Sequence, residues 1–579
     1  MSAHEALAAP ELESSARRSY RGRLDAWLRT QEGRLLAFNL VVTLITAWTS
    51  VTFFHPDEHF QTVEFVGLKL GFTPEQELPW EYRVGVRPWL QPALYYVLLR
   101  PLVALGLQDR FLLAFVLRLC SGLLAFGGLL ALVRASACWF ESEEARRFGL
   151  RWLTLAGCVP YLAVRTSSEN AAASFFLLGF ALLMRELRPD RAAASPLPAA
   201  RALAGGALLG LAFEARFQVA FMILGLGAWL LGVARLRPRS LVLLGVGISG
   251  PLVAALFIDR WGYGEWVFPP WSYARVNLLE GRAAAAYGTQ PFFAYLYITL
   301  ANIFAPLVLL TTVGLILCWL RRPRHVISLV TLPFVLGHSL IAHKEERFMF
   351  PVLLLGLVGA VLGYERRSAP EPQSALSRRA GALAARVRAF RGSRVYATLV
   401  VWNALGMLLL AVYPLGWRPH LVFARWVHDQ GQRPAHFVSG DPQVLPSYPF
   451  YRRAPWQLHT VDSVRSGAVF AQTDGPIYFL TREPFSPARA EDAGVKPELT
   501  FSEFPGAHSA WLQRHVFPWL AWLRNAALAH GLQAERATWL STYRLRPPRH
   551  AKESREIHEI PTRELVAPAA GAAGPGELG

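Results

Sequence analysis

Long apolar runs broken by short polar islands dominate the chain from residue 35 to residue 416. Each run approaches the ~20 residues an α-helix needs to cross the hydrocarbon core of a bilayer. The pattern predicts about eleven spans, at 35–54, 111–133, 148–165, 170–186, 202–215, 217–234, 241–258, 293–319, 326–342, 349–364 and 395–416. They lack the strict alternation of an outer-membrane barrel. The pair at 202–234 reads as a tight hairpin interrupted by EARFQ. A further apolar segment, 90–107, is interrupted by Arg100–Pro101. The fold class is an α-helical polytopic membrane protein.

Composition agrees: 53% of residues are hydrophobic and 17% charged. The net charge of +18 sits in Arg-rich loops at 185–191, 235–239, 321–325 and 365–394 and near the N-terminus. If 90–107 lies in the interface or within the first external loop, all these loops share one side, as the cytoplasmic bias of basic residues requires. The positive charge thus marks topology and implies no nucleic-acid partner. The four cysteines, Cys120, Cys138, Cys158 and Cys318, lie in or beside apolar segments without CxxC spacing, so neither a disulfide framework nor a zinc site is implied. The polar, Arg-bearing start predicts a retained signal anchor rather than a cleavable signal peptide.

Four parts follow: a cytoplasmic basic N-terminus at 1–34, a transmembrane domain at 35–416 with an external loop at 55–110, a small external α+β domain at 417–564, and a disordered tail at 565–579. The external domain carries Pro/Tyr-rich turns at 445–459 and a strand-like IYFLT at 477–481.

With the N-terminus inside, four polar islands share the outer face: HPDEHFQ at 55–61, RTSSEN at 165–170, the loop 259–291 ending in GTQP, and HKEERF at 343–348. In the first, Pro56, Asp57 and Glu58 suit the start of a helix. A regular helix would also bring Gln61 and Glu64 onto the face of Asp57, and carboxylates at a membrane cavity mark a functional site. Both readings stand. HKEERF reads either as a solvated turn, with His343 paired to Glu346 or Arg347, or as a cationic cluster for a lipid phosphate. Lys344 is one of four lysines in the chain. Arg118, Thr166, Glu214, Arg216, Gln218, Tyr287 and Gln290 are each open between internal pairing and substrate contact; Glu214 and Arg216 could satisfy each other. The absence of a GxxxxGK[ST] loop argues against an ATP-driven pump.

Taken together, HPDE at 55–58 with Gln61 and Glu64, the element at Arg165–Asn170, RFQ at 216–218, YGTQP at 287–291 and HKEERF followed by Pro351 resemble the Alg9-like mannosyltransferases, glycosyltransferase family 22, which includes the GPI mannosyltransferases. The resemblance runs over roughly residues 35–365 and departs from the family pattern at Gln290, where members often carry His. It implies a GT-C fold, a polyprenyl-phosphate sugar donor such as dolichyl-phosphate mannose, and a lipid-linked glycan or glycolipid acceptor. It places the reaction on the lumenal face of the endoplasmic reticulum or the periplasmic face of a bacterial inner membrane. Asp57, or Glu58, is then the catalytic base of an inverting transfer. The substrate-binding set is His55, Gln61, Glu64, Arg165, Asn170, Arg216, Gln218, Tyr287, Gln290, His343, Lys344, Glu346 and Arg347. No cofactor or metal is called for. A transporter or flippase of a lipid-linked sugar is the rival reading, and a non-catalytic scaffold a third.

Overall fold

In the computed structural model, residues 26–187, 197–300, 307–367, 375–412, 418–429, 435–438, 448–453, 456–459, 477–481, 496–502 and 541–546 are described. Residues 1–25 and the tail 565–579, for which expectations were stated, lie outside these.

Helices occupy the apolar runs: Gln31–Thr49, Arg110–Ser136, Ser168–Met184, Ala199–Ala215, Ala220–Gly232, Pro238–Tyr263, Val308–Arg321, Val326–Leu340, Leu353–Tyr364 and Arg394–Val412. Four stretches among the described residues are long and apolar enough to cross a membrane: Arg110–Ser136, Pro238–Tyr263, Glu346–Tyr364 and Arg394–Val412. The run at 148–165 is divided between helices Glu143–Leu155 and Val159–Ala163. Gly157 sits at the break, where its amide donates to Asn403 Oδ1 at 2.9 Å and a Cβ would stand 2.7 Å from the Asn403 carbonyl. Segment 90–107 forms a continuous helix, Leu90–Ala104, with Pro101 inside it. It buries Gln91, Tyr95 and Leu99 and leaves Leu94, Val97 and Leu98 outward.

The molecule is arranged inside out relative to a water-soluble protein. Val97 and Leu224 are each 68% exposed, while Glu64, Arg165 and Glu169 are all but fully buried. Such a surface is stable only against lipid, and the protein is a multi-pass integral membrane protein. Lipid offers no hydrophobic drive for helix association, so close van der Waals contact must supply it. Helices Ala199–Ala215 and Pro238–Tyr263 meet through Gly206, Gly210 and Gly247; a Cβ on Gly206 would come within 2.3 Å of the Leu244 carbonyl.

Beyond the helices, Arg418–Asp429 leads to five strands: β1 Ala435–Val438, β2 Trp456–His459, β3 Ile477–Thr481, β4 Lys496–Ser502 and β5 Ser541–Arg546. Their order is β2-β1-β3-β5-β4, with β2, β1 and β3 parallel and β5 antiparallel to both its neighbours. IYFLT is thus a strand at the centre of a mixed sheet. Between β1 and β2, the segment 448–453 returns to the loop at 55–110. Tyr448, Phe450 and Tyr451 are buried there, and the Tyr451 ring stacks on Phe111 at 4.3 Å between centroids and on His59 at 5.4 Å.

Candidate active site

The chain leaves helix Gln31–Thr49 and forms one short helical turn, Pro56–Glu58. Its start is a capping box. His55 Nδ1 accepts from the Asp57 amide at 3.2 Å, while the Glu58 carboxylate accepts from the Phe54 and His55 amides. Glu58 is therefore spent on the backbone. It also lies 3.9 Å from Arg165, whose guanidinium donates to Ser50 and to the Thr52 and Tyr161 carbonyls. Burial raises the Glu58 pKa, and neither Arg165 nor the two amides offset it. Glu58 and Arg165 build the loop that presents Asp57.

Asp57 points the other way. Its Oδ2 accepts from Arg347 Nη2 at 2.5 Å and lies 3.7 Å from Arg87. Burial opposes its ionisation, but Arg347, with His55 and Arg87, outweighs that and holds the carboxyl well below the usual range. Arg347 also donates to Glu345 and lies 3.6 Å from Glu169, which pairs with Arg216 at 3.1 Å. Glu345, faced by His343 at 2.9 Å and His55 at 3.5 Å, is likewise held low by Arg347 and the two imidazoles against the effect of burial. On the far side of Asp57, Arg87 approaches Glu81 at 3.9 Å, and Glu81 accepts from Gln61 at 2.8 Å. Burial pushes the Glu81 pKa up despite Arg87.

Asp57, Arg87, Glu169, Arg216 and Arg347 border a cavity that opens to its surroundings and holds about 500 Å³ of space, its mouth included. Of the residues singled out from the sequence, Asp57, Glu58, Gln61, Arg216, Gln218 and Arg347 line it. Arg87, Gln91, Glu169 and Tyr273 line it too and were not selected. Glu169 lies in the RTSSEN island; Arg87 and Gln91 bracket Pro88–Trp89–Leu90 at the start of an apolar run, where hydropathy gives a lone polar residue no weight.

Several expected contacts differ. Glu64 does not share the face of Asp57 and Gln61, because His59–Val63 is a π-helical turn and the wider i→i+5 winding breaks the 3.6-residue phase. Its fully buried carboxylate instead accepts from Thr73 Oγ1 at 2.5 Å and the Phe450 amide at 3.1 Å, and meets His59 Nε2 at 2.6 Å. Asn170 donates to the Ala163 and Arg165 carbonyls and so braces the turn before its helix. Lys344 donates to the carbonyls of Gln290, at 3.0 Å, and Ile341, at 2.6 Å; burial lowers its pKa. Its ammonium clamps YGTQP against HKEERF. The Gln290 amide donates to the Ala342 carbonyl and His343 Nδ1 meets the Gly288 carbonyl, so these two motifs contact each other. Tyr287 is exposed, with its ring 5.5 Å from that of His343. Glu346 opens the 3₁₀ turn Glu346–Val352 and does not border the cavity. His343 pairs with Glu345 rather than with Glu346 or Arg347. Arg216 pairs with Glu169 rather than Glu214. Arg118 donates to the Ala47 carbonyl within the helix bundle.

Among the described residues, no cluster of His, Cys, Asp and Glu has the makings of a metal site. What the cavity offers is two carboxylates paired with cations, Asp57 and Glu169, beside three guanidiniums, Arg87, Arg216 and Arg347. Such a set can take a proton and hold an anion in the same space.

A profile of the Alg9-like mannosyltransferase family matches residues 35–413. Similar curated proteins include GPI mannosyltransferase 3 of Yarrowia lipolytica, 29% identical over 308 residues, which are 53% of this chain and 57% of that protein. GPI alpha-1,2-mannosyltransferase 3 of Danio rerio is 25% identical over 334 residues, covering 55% of this chain and 57% of its own length. The chain thus spans less than two thirds of these relatives. Among solved structures, ArnT from Cupriavidus metallidurans bound to undecaprenyl phosphate superposes with a TM-score of 0.48 at 16% identity, covering 81% of this chain and 95% of that one.

Proposed function

The chain belongs to the Alg9-like mannosyltransferase family, and on that premise we propose that it is a membrane mannosyltransferase of GT-C architecture. Its donor is a polyprenyl-phosphate mannose and its acceptor a lipid-linked glycan or glycolipid, of the GPI type that the relatives' names suggest. One observation carries the reading: Asp57, held ionised, shares a cavity with Arg87, Arg216 and Arg347.

An acceptor hydroxyl becomes a competent nucleophile as Asp57 removes its proton. Its oxygen bonds to the anomeric carbon as the bond from that carbon to the phosphate oxygen breaks. Polyprenyl phosphate leaves with the electron pair. This single displacement inverts the centre, so a β-linked donor yields an α-mannoside. Negative charge gathers on the leaving phosphate, where prearranged guanidiniums stabilise it without solvent reorganisation. Arg347, Arg216 and Arg87 take this role in place of Lys344, whose ammonium is committed to two carbonyls. Before the donor arrives, Arg347 holds Asp57. A phosphate in the cavity competes for that guanidinium and so frees the base when it is needed.

The test is transfer of radiolabelled mannose from a polyprenyl-phosphate donor to a lipid extract by purified wild type and Asp57→Asn. Wild type transfers; the variant folds, retains donor binding and loses roughly 10²–10⁴-fold in turnover. Equal transfer by both removes Asp57 as the base.

A further inference from the structure

Beyond the acid and the arginines, the cavity carries an atom that this mechanism does not use. Gln91 lies in the first turn of helix Leu90–Ala104, lines the cavity and is 6% exposed. Its Nε2 donates to the Thr166 carbonyl and to Tyr95 Oη, both at 2.9 Å. Tyr95 Oη is in turn held by Ser121 Oγ at 2.7 Å. A backbone carbonyl can only accept, so the nitrogen must face Thr166 and the amide has a single satisfactory orientation. The oxygen is then the end left over. Gln91 Oε1 is buried and has no hydrogen-bond partner. Native proteins seldom leave a buried amide oxygen unpaired, and one carried by a residue that lines a cavity invites a donor from whatever fills it.

The donor this atom wants is an O–H. Amide oxygens accept only, so they repel a phosphate oxygen and suit a neutral polyhydroxyl group. Gln218 repeats the arrangement on a different element. It is 8% exposed, its Nε2 is engaged by Tyr273 Oη, and its Oε1 is also buried without a partner. The cavity therefore divides its chemistry, with guanidiniums for the anion and amide oxygens for hydroxyls.

We propose that Gln91 is a specificity-determining residue that accepts a hydrogen bond from a sugar hydroxyl on Oε1, with Gln218 as a second acceptor in the lining of the same cavity. The proposal rests on reading the cavity as a site of sugar transfer. A sugar hydroxyl can come from the donor or from the acceptor, and the chemistry at Gln91 is the same for both.

The experiment compares kcat/KM for a short-chain polyprenyl-phosphate mannose with its 2-, 3-, 4- and 6-monodeoxy and deoxyfluoro analogues. A parallel arm uses a synthetic mannosyl glycolipid acceptor and its monodeoxy forms. Wild type and Gln91→Met, which keeps the side-chain length without the amide, are assayed together. Loss of one hydroxyl is expected to cost wild type roughly 10–100-fold and the variant almost nothing. The arm in which this occurs identifies the source of the hydroxyl. Equal losses in both enzymes overturn the proposal and leave Gln91 as a brace between Thr166 and Tyr95. Should Gln91→Met not fold, wild type alone still decides. The decisive deoxyfluoro analogue, which cannot donate, must then lose at least as much as its deoxy partner. Analogues that all react like the parent overturn the proposal. If wild type transfers nothing from the parent donor, the transferase reading itself fails and takes this proposal with it, a result distinct from transfer that ignores every hydroxyl.

Discussion

Replacing Glu64 by Ala separates a carboxylate that builds the site from one that touches substrate. Glu64 has no exposed surface, and three groups converge on it: His59 Nε2 at 2.6 Å, Thr73 Oγ1 at 2.5 Å and the Phe450 amide at 3.1 Å. Removing it leaves these facing one another where no water reaches. Deleting one partner from such a buried, charge-assisted set costs about 3–5 kcal/mol. At ~2 °C per kcal/mol for large chains, the unfolding midpoint should fall by roughly 6–10 °C. Glu64→Gln keeps one acceptor oxygen and should lose about half as much. The assay is intrinsic tryptophan fluorescence during heating in detergent, set beside the KM for donor at a temperature where both forms are folded. An unchanged midpoint with a raised KM would refute the reasoning and return Glu64 to the substrate-binding set.

Arg347→Lys should lower kcat/KM by roughly 10²-fold, because a point charge cannot hold Asp57, Glu345 and Glu169 together and small misplacements of a base are costly; retention of full activity would show that charge alone matters. Since kcat/KM reports the free enzyme and Asp57 is held below the ordinary aspartate value of 3.8, it should stay level on acidification until below that pH. An acid limb at pH 5–6 would remove Asp57 as the base. The same depressed pKa stabilises the fold: the contribution is present above the ordinary value and is lost as pH falls through the folded-state value, so Asp57→Asn should lessen acid destabilisation in that window. Gly206→Leu should lower the unfolding midpoint, by roughly 1–3 kcal/mol of overpacking, because a Cβ there meets the Leu244 carbonyl at 2.3 Å; an unchanged midpoint would mean that the two helices can part without loss.

The helices were largely legible because hydrophobic run length is a local property, and each run reports its own burial in lipid. Where a run was broken, the cause was not local: the division at Gly157 answers to Asn403, 246 residues away. The polar islands were legible too, since charged groups between apolar runs are conspicuous. Their internal roles were not. Asp57 and Glu58 are adjacent and chemically alike, yet one caps backbone amides while the other faces the cavity. Helical periodicity put Glu64 beside Asp57 because it assumed 3.6 residues per turn, and a π turn intervenes. Gln91 and Arg87 escaped notice because a hydropathy scan gives no weight to lone polar residues near an apolar helix start.

From the order of residues alone come the membrane character and the set of polar groups that gather together, because each depends on composition summed over a segment. Which acid meets which base is a different kind of fact. Asp57 and Arg347 stand 290 residues apart, and they touch only because packed helices bring two loops to one cavity. The same packing turns Lys344 inward to its own backbone and leaves the Gln91 oxygen unpaired. A polar side chain hydrogen-bonds to whatever is nearest once water is gone, and only the tertiary structure decides what is nearest.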